Sequence, residues 1–243
     1  MEYRIEEIGG GVKACISKEH TFGTDAVLLA DFAKIKRGET VCDLGSGCGI
    51  IPLLWSRMYE PLKMYGIEIN ADAVGQMEKA VEVNGLEEKF LPVHADMRNL
   101  QDKTLYGKMN VVSCNPPYYT LKSGAVSSKE SRRMARSEAE CTMSDVCDIA
   151  SKLLKYGGRF VMCQKPERLT DALEEMRNHG IEPKRMRFAK QSTDKRPWIV
   201  LIEGKRGGGK GLKIESDLIT GKDENGEYFS EMKKIYGIGG DFE

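Results

Sequence analysis

What most constrains this chain is an alternation of two hydrophobic periodicities, interrupted early by a turn that carries three glycines. Thr40 to Leu44 reads as a short buried strand. Asp43-Leu44-Gly45-Ser46-Gly47-Cys48-Gly49 turns the chain, and Gly49 to Met58 reads as the helix that follows. Lys63 to Glu68 is the next strand. Ala71 to Asn84 follows it, with Val74, Met77 and Val81 spaced for one helical face and Gly85 as the stop. Phe90 to Ala95 and Met109 to Cys114 are the third and fourth strands. Thr142 to Tyr156 reads as a helix closed by Gly157-Gly158, and Arg159 to Cys163 as the fifth strand. Pro166 can open a helix running to about Asn178. Lys184 to Ala189 and Trp198 to Glu203 have no helix between them, so they are expected to pair as an antiparallel hairpin. The pattern predicts an α/β fold: a doubly wound, seven-stranded, mostly parallel sheet with an antiparallel final hairpin and helices between the first five strands. In such a sheet the ligand sits at the carboxyl ends of the strands.

At 243 residues, 30% of them charged, the chain suits one large soluble domain with additions. Its apolar runs are too short to span a bilayer, and Met1 to Glu7 alternates charged with apolar residues, unlike a signal peptide. The 7 cysteines include no CxxC pair, which suits buried reduced thiols in a cytoplasmic protein and gives no reason to expect a metal. Monomer is the default expectation. The balanced net charge hides an asymmetry: between Lys184 and Lys213 ten basic residues face only Asp194 and Glu203. Between Lys122 and Arg136 five basic residues face only Glu130. Such segments form either a solvated basic face or a polyanion-binding surface.

The spacing of Gly45, Gly47 and Gly49 is GxGxG, not the GxGxxG of nicotinamide sites, and a glycine-rich turn alone says little. Its surroundings say more. Asp43 precedes it at a strand end, and Glu68 ends the second strand, where a carboxylate can accept two ribose hydroxyls. Asp96-Met97, after the third strand, can reach an adenine ring. These features suit S-adenosylmethionine better than a nicotinamide cofactor. Asn115-Pro116-Pro117-Tyr118 follows the fourth strand. An Asn carbonyl accepts from an amino group, the prolines fix a main-chain carbonyl as a second acceptor, and a Tyr face stacks on a planar group. The tetrapeptide thus holds a planar amino or amide nitrogen for attack on an electrophile.

DLGSGCG, Glu68 and NPPY resemble the class I, Rossmann-like methyltransferases that modify amino nitrogens. With Phe22 to Ala30, Lys165 to Leu169, Val200 to Lys205 and Ile235 to Gly237, the chain is similar to the bacterial tRNA(1)(Val) adenine-37 N6-methyltransferase family. The resemblance implies methyl transfer from S-adenosylmethionine, leaving S-adenosylhomocysteine, to N6 of an adenine in a tRNA anticodon loop. It implies that Asn115, Pro116, Pro117 and Tyr118 hold the target base. Thr24, Asp25, Asp43, Leu44, Gly45, Gly47, Gly49, Glu68, Ile69, Asp96, Met97 and Asn115 would then line the cofactor. RNA contacts would fall to Arg132, Arg133, Arg136, Lys190, Lys195, Arg196, Lys205, Arg206 and Lys210. Ala135-Arg136-Ser137-Glu138 carries serine where the family often has histidine. The expected organisation is a hairpin and helix over 1–38, a Rossmann-like methyltransferase domain over 39–204, and a basic, glycine-rich extension over 205–243 packed on the same domain.

Several features have plainer readings. His94 suits a strand position. Thr24 and Asp25 could cap the helix after them as well as approach a cofactor. Lys205 to Lys210 lacks the Walker spacing and suits a mobile basic loop, Asp223 to Glu227 suits a turn, and Ser230 to Tyr236 a short capped helix. Two alternatives stay open at this point: a protein glutamine N5-methyltransferase, which would use the same tetrapeptide, and a noncatalytic RNA-binding protein that retains a cofactor fold.

Overall fold

The computed structural model describes residues 3–116 and 141–238. A hairpin, β1 (Arg4–Glu7) and β2 (Lys13–Ile16), precedes α1 (Thr24–Phe32). The centre of the molecule is built from β3 (Thr40–Leu44), α2 (Ile50–Met58), β4 (Lys63–Glu68), α3 (Ala71–Asn84), β5 (Phe90–His94) and β6 (Met109–Cys114). Then come α4 (Met143–Leu153), β7 (Leu154–Gln164), α5 (Leu169–Asn178), β8 (Ile181–Lys190) and β9 (Pro197–Arg206). Two short strands, β10 (Lys213–Ile214) and β11 (Leu218–Ile219), and α6 (Ser230–Tyr236) end the described chain.

The main sheet runs β10-β8-β9-β7-β6-β3-β4-β5, with β11 also on β8. β5, β4, β3, β6 and β7 are mutually parallel, and β9 is antiparallel to both β7 and β8. The winding reverses between β3 and β6, and a doubly wound sheet opens its ligand crevice at such a reversal. The expected antiparallel ending is therefore present. The sheet has nine strands and not seven, because β10 and β11 are two-residue additions too short to show a period.

Alternation along each strand feeds two cores. Val41 on β3 belongs to the cluster under α1, α2 and α3, whereas Cys42 and Leu44 belong to the one under α4 and α5. Asn70 begins α3 by accepting from the Asp72 and Ala73 amides at 2.9 and 3.2 Å, and Gly85 ends it at φ +62°. Thr142 and Asp145 form a reciprocal capping box on α4.

Two expectations about the connections need correction. Between β5 and β6 there is no α-helix, only 3₁₀ turns at Met97–Asn99 and Lys103–Leu105. Asp96 and Asp102 each turn back to accept an amide two residues on, a local bond that competes with helix formation. α4 stops at Leu153, short of Tyr156. Leu154 already pairs with Met109 of β6, and the register then jumps so that Arg159 pairs with Val111. The intervening residues bulge out around Gly157 at φ +78°.

One side chain of α2 reaches both the N- and the C-terminal additions. The Arg57 guanidinium donates to the carbonyls of Ile8 (2.5 Å) and Ile235 (2.7 Å), while Met232 and Ile235 of α6 enter the core. Gly237 closes α6 at φ +71°, although no side chain caps its start as the short-capped-helix reading anticipated. Asp223 accepts from the amides of Asn225 and Glu227, so that segment is the expected turn. Six cysteines are buried and Cys141 is half-buried, and the described residues contain no helix long and apolar enough to cross a membrane.

Candidate active site

Sheet register assembles the site. Leu44 of β3 lies beside Cys114 of β6 on one side and Ile67 of β4 on the other. The next residue on each strand is Gly45, Asn115 and Glu68, so these three stand in one row at the carboxyl edge, at the winding reversal. The turn after β3 is held against β4 by the Gly45 and Ser46 amides, which donate to the Ile67 carbonyl at 2.9 and 3.1 Å. Glu68 Oε2 accepts from the Gly47 amide at 2.9 Å and Oε1 from the Asn70 amide at 2.8 Å. The carboxylate is fixed by backbone on both sides and keeps further lone pairs for hydroxyl donors.

The three glycines do different things. Gly45 and Gly47 adopt φ +65° and +55°, and a Cβ at Gly47 would meet nothing, so the turn presents bare backbone to the crevice. At Gly49 (φ +79°) a Cβ would strike the Met77 side chain at 2.4 Å; this glycine lets α2 and α3 close on the sheet. Ile69, beside Glu68, leaves 60% of its surface open, an apolar platform at the crevice edge. Asp96 holds the Arg98 guanidinium with contacts down to 2.6 Å, and that bond keeps its carboxyl below the usual range. Met97 Cε approaches within 3.7 Å of where a Gly45 Cβ would sit. Bare backbone, a fixed carboxylate and an apolar platform along one edge fit a nucleoside carrying a charged methionine tail.

Asp43 and Leu44 occupy other places than an open lining. Leu44 is wholly buried, and Asp43 is 1% exposed beneath the turn, accepting from Ser113 Oγ at 2.5 Å. Burial pushes the Asp43 carboxyl up to about 7, with the Ser113 bond working the other way.

Asn115 has both ends of its amide engaged. Its Nδ2 donates to Asp25 Oδ2 at 3.0 Å, and Cys163 Sγ donates to its Oδ1 at 3.0 Å. A carboxylate only accepts, so Asp25 fixes which end of the amide is nitrogen and leaves Oδ1 as the acceptor, with a second lone pair beyond the one that meets Cys163. Sequence reasoning had Asp25 as a cap or a cofactor contact. In the structure Gly23 is the N-cap of α1 and neither Thr24 nor Asp25 caps it: the Thr24 hydroxyl meets Tyr236 Oη at 3.2 Å. The Asp25 partnership was foreshadowed only by Phe22 to Ala30 as a stretch, and nothing in the sequence marked Cys163. Pro116 follows Asn115 at the strand end. Pro117, Tyr118, Arg132, Arg133, Arg136 and Ser137 lie outside the described residues. His94 is a strand residue whose ring meets the Ile69 carbonyl at 3.0 Å.

The basic segment proves less available than its composition implies. Lys190 pairs with Asp217 at 2.5 Å, Arg187 with Glu231 and Arg185 with Glu203 and Glu215. Glu215, Asp217 and Glu231 lie beyond the stretch in which the charges were counted. Arg206 donates to the Leu154 carbonyl. Lys195, Arg196, Lys205 and Lys210 are exposed, Lys195 with a single long contact of 4.0 Å to Asp194.

A winding reversal with a glycine turn, a ribose-type carboxylate and an Asn-Pro acceptor pair along one edge defines an α/β methyltransferase of class I. The sequence pattern of the methyltransferase small domain family matches residues 16–178, and the chain belongs to that family. Its methyl donor is S-adenosylmethionine. The chain is similar to proteins named tRNA1(Val) (adenine(37)-N6)-methyltransferase. The one from Shewanella woodyi is 24% identical over 95% of this chain and 93% of its own length. The one from Tolumonas auensis is 24% identical over 58% of this chain, which spans 57% of that relative. Among solved structures, one described as a predicted O-methyltransferase from Agrobacterium tumefaciens superposes with a TM-score of 0.71. It covers 88% of this chain and 95% of its own at 14% identity, a likeness of fold.

Proposed function

We propose that this chain transfers a methyl group to the exocyclic N6 of an adenine in RNA, with adenine 37 in the anticodon loop of tRNA(Val) as the acceptor. The observation that carries the reading is the row Asn115–Gly45–Glu68, with an oriented amide acceptor two strands away from the donor's carboxylate. The names of the relatives supply the particular adenine, and an enzyme of this kind works where tRNA is processed, in the cytoplasm.

When bound, S-adenosylmethionine supplies an electrophilic methyl group on a sulfonium. Glu68 would hold the ribose hydroxyls, Ile69 and Met97 the adenine faces, and the Gly45–Gly47 backbone the space between. The lone pair of an adenine amine is delocalised into the ring, which makes the nitrogen a poor nucleophile. Asn115 Oδ1 and the Pro116 carbonyl accept the two amine hydrogens and favour a pyramidal nitrogen with its lone pair turned toward the crevice. The rate gain then comes from positioning and preorganised acceptors. The methylated nitrogen is acidic enough to lose its proton afterwards, so no residue need act as a base first. An anticodon-loop adenine is partly unstacked, and extruding it costs less than from a duplex.

The test is transfer from labelled S-adenosylmethionine to unmodified tRNA, followed by nucleoside digestion and mass spectrometry. Label in N6-methyladenosine at position 37 is expected. Label in a different nucleoside, or on protein glutamine alone, would refute the reading.

A further inference from the structure

A cavity of about 440 Å³ is lined by Asp25 of α1, the partner of Asn115, and by Gln191, Trp198, Thr220, Tyr228 and Tyr236. Nothing in the methyl-transfer mechanism uses it. We infer that it holds a nucleobase of the RNA adjacent to the methylated adenine, stacked against the aromatic walls; this rests on the RNA reading above.

The rings are held as recognition surfaces rather than as filler. Trp198 Nε1 donates to Thr220 Oγ1 at 3.1 Å, and that hydroxyl donates to the Lys190 carbonyl at 3.0 Å. Tyr236 Oη is tied to Thr24 at 3.2 Å. With their polar tips engaged, Trp198 and Tyr236 offer mainly faces to an occupant. Tyr228 and Tyr236 stand 5.1 Å apart and tilted by 47°, making an angled wall.

The lining segment at Thr220 is fixed against the end of β8. The Thr220 and Gly221 amides donate to the carbonyls of Lys190 and Gln191 at 2.7 and 2.9 Å. A Cβ at Gly221 would lie 2.1 Å from the Gln191 carbonyl oxygen, so only glycine lets the two segments approach so closely.

Two cations lie against rings of the lining. Lys222 Nζ lies 4.9 Å above the Tyr228 ring and Lys165 Nζ 5.7 Å from the Trp198 ring. Aromatic faces with cations beside them are the chemistry that takes successive bases of a single strand while the cations meet phosphate. Asp25 joins this cavity to the reacting site, since its carboxylate is both a wall here and the partner of Asn115. A base seated in the cavity therefore belongs to a nucleotide next to the one presented to Asn115.

The experiment measures RNA affinity by fluorescence anisotropy on the full chain with S-adenosylhomocysteine present. The probes are an anticodon stem-loop RNA and copies carrying one abasic nucleotide, on either side of the target adenine or at it. Trp198→Ala is expected to weaken binding of the intact RNA about tenfold, with S-adenosylmethionine affinity by calorimetry unchanged. An abasic neighbour on one side should weaken wild-type binding similarly and weaken the variant's no further. Tyr228→Ala, at another ring of the lining, repeats the measurement should the tryptophan variant fold poorly. Additive losses at every abasic position would overturn the inference. So would a deficit cancelled only by the abasic target, which would seat the target base itself here. Wild-type protein that methylates tRNA yet gives additive losses removes the pocket alone. Wild-type protein that methylates no tRNA removes the RNA reading and this inference with it.

Discussion

The two halves of the site are built in different ways. The cofactor half is local: the turn after β3 and the end of β4 meet through backbone amides, as in Gly47 to Glu68 and Gly45 to Ile67, and Met97 after β5 approaches Gly45. The acceptor half is assembled from a distance. Asn115 meets Asp25 across 90 positions of sequence and Thr24 meets Tyr236 across 212. One half rests on glycine geometry and strand register, the other on side chains that only the finished fold brings together. Substitutions should therefore dissociate the two.

The largest effect is expected for Asn115→Ala. It removes an acceptor that acts on the reacting nitrogen and leaves the turn's bonds to Glu68 and Ile67 in place, so single-turnover methyl transfer should fall about 10²- to 10³-fold. S-adenosylmethionine affinity by calorimetry should stay within about twofold of wild type. Near-normal single-turnover rates would break the division at its centre. Glu68→Ala is the converse. Losing a carboxylate that accepts charged-type hydrogen bonds should weaken S-adenosylmethionine binding about 10- to 100-fold. RNA affinity should be unchanged, and equal losses in both would show that the halves are coupled through the turn.

This division also explains what the sequence made legible. The strands β3 to β7 could be anticipated because short apolar stretches such as Val111-Val112 and Phe160 to Cys163 recur between turn signals, and the turn because its glycines, Asp43 and Glu68 fall at strand ends. Legibility failed where a local bond or a distant partner decided the outcome. Asp96 and Asp102 turned a presumed helical connection into 3₁₀ turns, and Leu154 joined β6 rather than prolonging α4. Asp25 read as either a cap or a cofactor contact because its partner Asn115 lies 90 positions away in sequence. Summed charge misled for a similar reason, since the carboxylates opposing Arg187 and Lys190 come from a later segment.

Asp25→Asn gives an intermediate effect and a sharper test of the acceptor half. The substituted amide can donate as well as accept, so Asn115 would no longer be held in one orientation. The rate of transfer should fall about tenfold, the scale of one charge-assisted hydrogen bond, while KM for RNA and cofactor affinity change little. Because the same carboxylate walls the aromatic cavity, Asp25→Glu is the control. Partial recovery of kcat by the longer carboxylate, which Asp25→Asn lacks, would separate orientation of Asn115 from packing. A loss of RNA affinity with kcat intact would place Asp25 wholly in the cavity.

The smallest effects concern the basic segment, and they turn on which cations the fold has already paired. Lys190 lies against Asp217 at 2.5 Å, whereas Lys195 is exposed on the β8–β9 connection with its acidic neighbour 4.0 Å off. Phosphate contacts reveal themselves through counterion release, each one steepening the fall of affinity with salt. Lys195→Gln should therefore reduce the slope of log affinity against log salt by about 1 and weaken binding severalfold at low salt. Lys190→Gln should leave the slope unchanged, since the phosphate would have to displace Asp217 to be counted. Titrations of tRNA against both variants at several salt concentrations decide it. Equal slopes for the two would mean that the Lys190–Asp217 pair opens when RNA arrives, and that the acceptor half recruits its charge only on binding.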